Sequence, residues 1–128
     1  MAEYPEDLKY SSEHEWVRPG NGLTLRVGIS EFAAEQLGDI VYVQLPDVGQ
    51  EMAAGDSVGE LESTKSVSDL MAPVAGVVTG INEAVVDAPE TINADPYGDG
   101  WLFEVEVAGE EAYADLMDAD AYAEHVGE

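Results

Sequence analysis

Apolar residues recur at every second position in three stretches of the chain, the period of a half-buried strand. Leu23, Leu25, Val27 and Ile29 alternate with Thr24, Arg26 and Gly28, and Pro19-Gly20-Asn21-Gly22 supplies the turn that folds this run back onto Trp16 and Val17. Val41, Val43 and Leu45 repeat the alternation. Phe103, Val105 and Val107 alternate with Glu104 and Glu106, a strand showing its carboxylates to water. A further region, Gly55 to Val78, reads as two arms paired around Ser63-Thr64-Lys65-Ser66, a polar tetrad suited to a tight exposed turn. The core is therefore expected to be mainly sheet.

Helix signals fall between and after these runs. Ser30 is placed as an N-cap, Glu31 favours the positive helix end, Phe32 and Leu37 lie on neighbouring turns, and Gly38 can end the segment. After Gly109, a Glu110-Glu111 start with Tyr113, Leu116 and Met117 on one face predicts a second helix, and Asp118 is placed to cap a short one toward His125. No linker, low-complexity tract or repeat period divides the 128 residues. The expectation is one domain, 1–128, with a helical tail over about 109–126.

Composition removes whole classes of chemistry. With no cysteine there is no disulfide, thiolate metal site or cysteine nucleophile, so redox chemistry would have to ride on a cofactor. The 28 acidic residues against four basic ones give a formal charge of -24, which repels phosphate backbones and anionic membranes, so neither nucleic acid nor membrane is an expected partner. Self-repulsion of this size is relieved by salt, a balance expected of a protein from a salt-rich, halophilic cytoplasm. A hydrophobic content of 45% argues against disorder. The acidic stretch Met1 to Leu8 lacks the cationic start of a secretory signal, and no later run reaches membrane-spanning length, so a cytoplasmic protein is expected.

Independent catalysis has no motif. The only histidines are His14 and His125, there is no Gly-x-Ser-x-Gly elbow, and Asp95, Asp99, Asp118 and Asp120 do not fall in a calcium-loop pattern. His125 reads as a charge partner at a helix end. Neither a catalytic centre nor a metal site is expected. The residue that stands out is instead Lys65, because from Val27 to Glu128 the chain contains no other lysine or arginine. Charge alone leaves two readings open. The lysine softens repulsion among Glu60, Glu62 and Asp69, or it is an accessible amine whose acylation would replace the charge with a long amide-linked arm.

The segment Glu62-Ser63-Thr64-Lys65-Ser66, followed by Ser68-Asp69 and Pro73-Val74-Ala75-Gly76, resembles the lipoyl-attachment hairpin of glycine cleavage H proteins. The resemblance extends through Tyr10 and Glu13-His14-Glu15-Trp16-Val17, Val27-Gly28-Ile29-Ser30, Gln36-Leu37-Gly38-Asp39-Ile40-Val41, Leu45-Pro46, Asn82-Glu83, Ile92-Asn93-Ala94-Asp95-Pro96-Tyr97-Gly98 and Gly100-Trp101. Biotinyl carriers usually present Met-Lys-Met, and the flanking blocks set the chain apart from lipoyl domains of 2-oxoacid dehydrogenases. It departs from the family's pattern at Thr64 and Ser66, where valine and alanine are common, and at Glu13, where a small hydroxyl residue is frequent.

The resemblance implies a lipoyl-domain-like barrel-sandwich hybrid of antiparallel sheets with short flanking and C-terminal helices. It implies a non-catalytic carrier with lipoate attached as N6-lipoyllysine at Lys65, after the work of a lipoate-attaching enzyme. The arm would take the aminomethyl group of glycine from the pyridoxal-phosphate glycine decarboxylase (P protein) to the aminomethyltransferase (T protein). Its dihydrolipoyl form would then pass to dihydrolipoyl dehydrogenase (L protein). An H-like lipoate relay, or a lipoyl module of another complex, would use the same lysine. The family further implies that Glu15 and Asp69, with His14 as neighbour, cradle the loaded arm. A monomer meeting its enzymes transiently is expected. Trp16 and Trp101 read as core aromatics, Gly76 and Gly100 as turn residues, Pro73 as a bend or sheet edge, and the Asn93-to-Tyr97 block as a structural loop.

Overall fold

Alternating burial builds the sheets. In a computed structural model that describes residues 5–20, 22–109, 111–114 and 116–126, the chain runs β1 (Lys9–Tyr10), β2 (Glu15–Pro19), β3 (Thr24–Ile29), α1 (Glu31–Leu37), β4 (Ile40–Gln44), β5 (Glu51–Met52) and β6 (Ser57–Ser63). It continues through β7 (Val67–Met71), β8 (Gly76–Ile81), α2 (Glu83–Asp87), α3 (Glu90–Ala94), β9 (Phe103–Glu106), α4 (Glu111–Ala114) and α5 (Ala119–His125). One sheet has the order β1-β2-β3-β9-β8-β5 and the other β4-β6-β7, with every pairing antiparallel. The mainly antiparallel fold with short helices is the one expected.

The sheets bury one continuous cluster that includes Val17, Val27, Val43, Leu61, Leu70, Phe103 and Val105. Each such side chain contributes about 1.5–3 kcal/mol of burial. A second cluster, Leu8, Tyr10, Trp16, Ala119 and Tyr122, fastens α5 to β1 and β2. Its centre is a stacked pair, Tyr10 on Tyr122, with ring centroids 4.6 Å apart and planes 7° from parallel. Trp16 pairs in register with Gly28, where a Cβ would strike the indole, so the cross-strand glycine makes room for the tryptophan. Trp16 is fully buried and donates its indole N–H to the Pro96 carbonyl at 2.8 Å. Trp101 is half-buried, with the Arg26 guanidinium 4.3 Å from its ring centroid.

Four local expectations are corrected. Leu23 lies in the β2–β3 turn and is exposed; Asn21 of the same turn lies outside the described residues. Val41 is 51% exposed because a register shift between Ile40 and Tyr42 turns both Val41 and Tyr42 outward. A bulge of this kind breaks the two-residue period that predicted burial. Gly76 is a strand residue and not a turn, and a Cβ there would overlap the Glu106 carbonyl oxygen of the neighbouring β9. The helix expected after Gly109 is limited to Glu111–Ala114, with Glu110 outside the described residues. Met117 forms instead an isolated bridge with Tyr10.

Gly59 in β6 is a comparable close approach, since a Cβ would overlap the Gln44 carbonyl oxygen of β4. Backbone cannot swing aside as a side chain can. Gly59→Ala is expected to lower stability by about 3 kcal/mol, the upper part of the overpacking range, read as a shifted urea midpoint at unchanged slope.

Candidate functional site

The β6–β7 hairpin closes on its own serine. Ser63 N–H donates to the Ser66 carbonyl at 2.8 Å, and the Ser63 hydroxyl oxygen accepts the N–H groups of Lys65 and Ser66, each at 3.1 Å. One side chain, 7% exposed, thus satisfies the turn and leaves Lys65 exposed at its tip. The Thr64 N–H donates to the Asp39 carbonyl at 3.1 Å, hanging the tip on the corner between α1 and β4.

Gly38 forms that corner with φ +85°, a conformation that favours glycine, and a Cβ there would lie 2.9 Å from Lys65 Cε. The lysine stem therefore rests against the end of α1. Asn93 of α3 braces the corner from behind: its amide N–H donates to the Gly38 carbonyl and its carbonyl oxygen accepts the Ile40 N–H, both at 2.9 Å. Asn93→Ala is expected to cost about 1–2 kcal/mol for two hydrogen bonds to half-buried backbone. It should also slow acylation of Lys65 relative to the parent chain, as measured by mass spectrometry over time.

Lys65 differs from the other cations. Arg26 pairs with Glu104 at 2.9 Å, Arg18 donates to the Tyr97 carbonyl and lies over Trp16, and Lys9 lies over the Tyr113 ring. Among the described residues Lys65 has no ion pair, including with Glu60, Glu62 or Asp69. Those three carboxylates occupy β6 and β7, where Glu60 stands opposite Asp69.

Beside the hairpin a cleft of about 280 Å³ opens between α1, the β1–β2 turn and β7. Its walls are apolar at Ile29, Phe32, Leu37, Leu61 and Leu70, and its polar lining includes Glu13, His14, Glu15 and Asp69. Leu37, which lines the cleft, precedes the glycine against which the Lys65 stem rests. Glu15, His14 and Asp69 thus line one cleft although β7 lies more than 50 residues from the turn.

Glu15 is 3% exposed. The Ser11 hydroxyl donates to its Oε1 at 2.6 Å, and the Met71 N–H also reaches its carboxyl. Burial pushes its pKa up to about 8 against these stabilising donors, so the group is mostly protonated at neutral pH. His14 adopts φ +75°, uncommon outside glycine. Burial, then the neighbouring His125, lowers its pKa, with partial opposition from Glu13. No cluster of three or more His, Asp or Glu side chains among the described residues is arranged to hold a metal ion.

Sequence reasoning passed over Tyr122, whose hydroxyl lies 2.7 Å from both His14 Nδ1 and Ser30 Oγ. These partners are 108 and 92 residues away, and no local pattern announces them. His125 ends α5 as expected and also meets the Ser12 carbonyl at 3.1 Å.

The family model for the glycine cleavage H-protein matches residues 8–128. The glycine cleavage system H protein of Nocardia farcinica is 56% identical, covering 99% of each chain, and that of Beutenbergia cavernae is 58% identical, covering 93% of each. The crystal structure of a glycine cleavage system H protein from Mycobacterium marinum superposes with a TM-score of 0.88 at 47% identity, covering 98% of this chain and 100% of that one. The fold is accordingly the lipoyl-domain-like barrel-sandwich, and the chain belongs to the glycine cleavage H-protein family.

Proposed function

We propose that Lys65 carries lipoate in amide linkage, and that the adjacent cleft shelters the arm when it bears the aminomethyl group of glycine. The family role is that of a non-catalytic lipoyl carrier in the glycine cleavage system. In this reading the chain takes the aminomethyl group from the glycine decarboxylase, yields it to the aminomethyltransferase and presents the reduced arm to dihydrolipoyl dehydrogenase, as a monomer meeting each enzyme transiently. The lipoyl group supplies a reducible disulfide whose sulfur accepts the one-carbon unit. The protein supplies the tether, the shelter and the charge.

One observation carries the reading: Lys65, alone among the four cations in having neither ion pair nor ring contact among the described residues, tips the hairpin whose strands β6 and β7 help to line a cleft with apolar walls and three carboxyl groups, those of Glu13, Glu15 and Asp69. The apolar walls suit an aliphatic arm, and the carboxyls suit the ammonium at its loaded end. Glu15 would give up its proton as that cation arrives, because a nearby positive charge favours the ionised carboxylate. Tethering turns each enzyme encounter into an intramolecular delivery at high effective concentration.

The test is the intact mass of the protein from its native host, followed by peptide mapping and glycine-dependent loading by the decarboxylase. A lipoyl adduct on Lys65 is expected. A biotinyl adduct, or bare Lys65 in cells cleaving glycine, overturns the proposal.

The charge of -24 supports a salt-rich cytoplasm as the setting. Raising neutral salt from about 0.01 to about 1 M contracts the screening length from about 30 to about 3 Å. The melting temperature is expected to climb by several degrees across that range. A flat response would remove the salt-adapted reading.

A further inference from the structure

Tyr122 touches both sides of the cleft without lining it. On one side its hydroxyl meets His14 Nδ1, in the β1–β2 turn; on the other it meets Ser30 Oγ, the N-cap of α1. The same Ser30 oxygen accepts the Ala33 N–H at 3.2 Å, and the Ser30 N–H donates to the His14 carbonyl at 2.9 Å. His14, Phe32 and Ala33 all line the cleft, and the His14 and Phe32 rings lie 5.0 Å apart. The helix that carries Tyr122 also holds the turn through His125 and the Ser12 carbonyl.

The backbone at His14 adds an independent observation. A histidine at φ +75° persists only where its surroundings over-determine it. Here the His14 N–H donates to the Ser11 carbonyl, its own carbonyl accepts from Ser30, and its ring is held by Tyr122. Strain and a buried hydroxyl junction meet at the wall of the cleft beside the Lys65 hairpin, while the ring of Tyr122 packs separately in the cluster that fastens α5.

We propose that Tyr122 is a positioning residue for the carrier cleft: its hydroxyl latches the His14 turn to the N-terminus of α1, so that the C-terminal helix sets how tightly the cleft closes on the loaded arm. The inference rests on the reading that the arm lodges in this cleft, and it adds a third element to the walls. The latch also orients the His14 ring, since the Tyr122 hydroxyl engages Nδ1, one of its two nitrogens.

Tyr122→Phe removes the hydroxyl and keeps the ring stack. In the chain without lipoate, the nitrogen NMR shifts of the His14 ring are expected to show one dominant tautomer in the parent and an averaged pair in the variant. In the lipoylated chain, loaded with glycine and decarboxylase and then separated, spontaneous loss of the group is followed as formaldehyde. In that hydrolysis water supplies the formaldehyde oxygen, the carbon–sulfur and carbon–nitrogen bonds break, and thiol and ammonium are released. Loss from Tyr122→Phe is expected to be about five- to tenfold faster than from the parent, the scale of one or two hydrogen bonds.

The outcomes separate the two ideas. If the parent loses the group as fast as loaded free lipoamide, the sheltering cleft itself is wrong. If the parent is protected and Tyr122→Phe is protected equally, with the His14 ring unchanged, the latch is wrong. Should the variant fail to fold, amide exchange in the parent decides. Loading is expected to slow the amides of Tyr122 in α5 and of Val126, which caps its end, along with those of α1, because coupling between two sites is reciprocal. Slowing confined to α1 overturns the proposal.

Discussion

Lys65→Arg is expected to abolish lipoylation and to reduce glycine cleavage to the level of a mixture lacking the carrier, while leaving the fold intact. The guanidinium preserves the positive charge and most of the stem, but it does not offer the amine that the attaching enzyme acylates. The side chain is exposed and has no ion pair among the described residues, so the expected change in stability is within about 0.5 kcal/mol. Function and folding are therefore separable at this position. The sequence contains one other lysine, Lys9, held in β1 with its ammonium over the Tyr113 ring. Lys9→Arg is the matched control and should incorporate lipoate at the parent rate. A lipoyl mass on Lys65→Arg would show that Lys9 or the amino terminus had been acylated instead, and would remove the hairpin from the proposed mechanism.

The Lys65 hairpin and the strands that support it were legible because each depends on neighbours close in the chain. A two-residue period marks β3 and β9, the Ser30 side chain announces its own helix start, and Ser63 organises the turn from within. What escaped depends on contacts between distant segments. The outward turn of Val41 comes from a bulge set by pairing with β6, and the need for glycine at position 76 comes from the approach of β9. The grouping of His14, Glu15 and Asp69 in one cleft was expected from resemblance alone, since no spacing along the chain relates a turn near residue 14 to a strand near residue 69. Tyr122 is the clearest case. Its apolar ring reads as core, and its hydroxyl acquires meaning only when α5 is laid across the β1–β2 turn.

Glu15→Gln is expected to stabilise the protein increasingly as pH rises from about 4.5 to about 8, and to make it a poorer carrier. Burial raises the folded-state pKa of Glu15 from 4.5 to about 8. Below 4.5 the carboxyl is protonated whether the chain is folded or not, and it imposes no pH-dependent cost. Between 4.5 and 8 the unfolded chain ionises Glu15 while the folded protein keeps it neutral, so stability falls by about 1.4 kcal/mol per pH unit, as much as about 5 kcal/mol in all. Glutamine has nearly the same shape, can accept from the Met71 N–H and has no such titration. Urea unfolding at pH 5, 7 and 9 should show a gap between variant and parent that widens and then levels above pH 8. Other groups that titrate in this window, His14 among them, contribute to both proteins and largely cancel in the difference. A constant gap would mean that Glu15 has an ordinary pKa. The same substitution removes the charge that the loaded arm's ammonium would meet, a charged hydrogen bond worth about 1.5–3 kcal/mol, so spontaneous loss of the bound group should accelerate roughly tenfold to a hundredfold. A carboxyl retained only for packing would give the stability gain with no loss of retention. The combination of a more stable fold and a leakier arm would show that the buried acid, costly to the fold at neutral pH, is kept for the cargo.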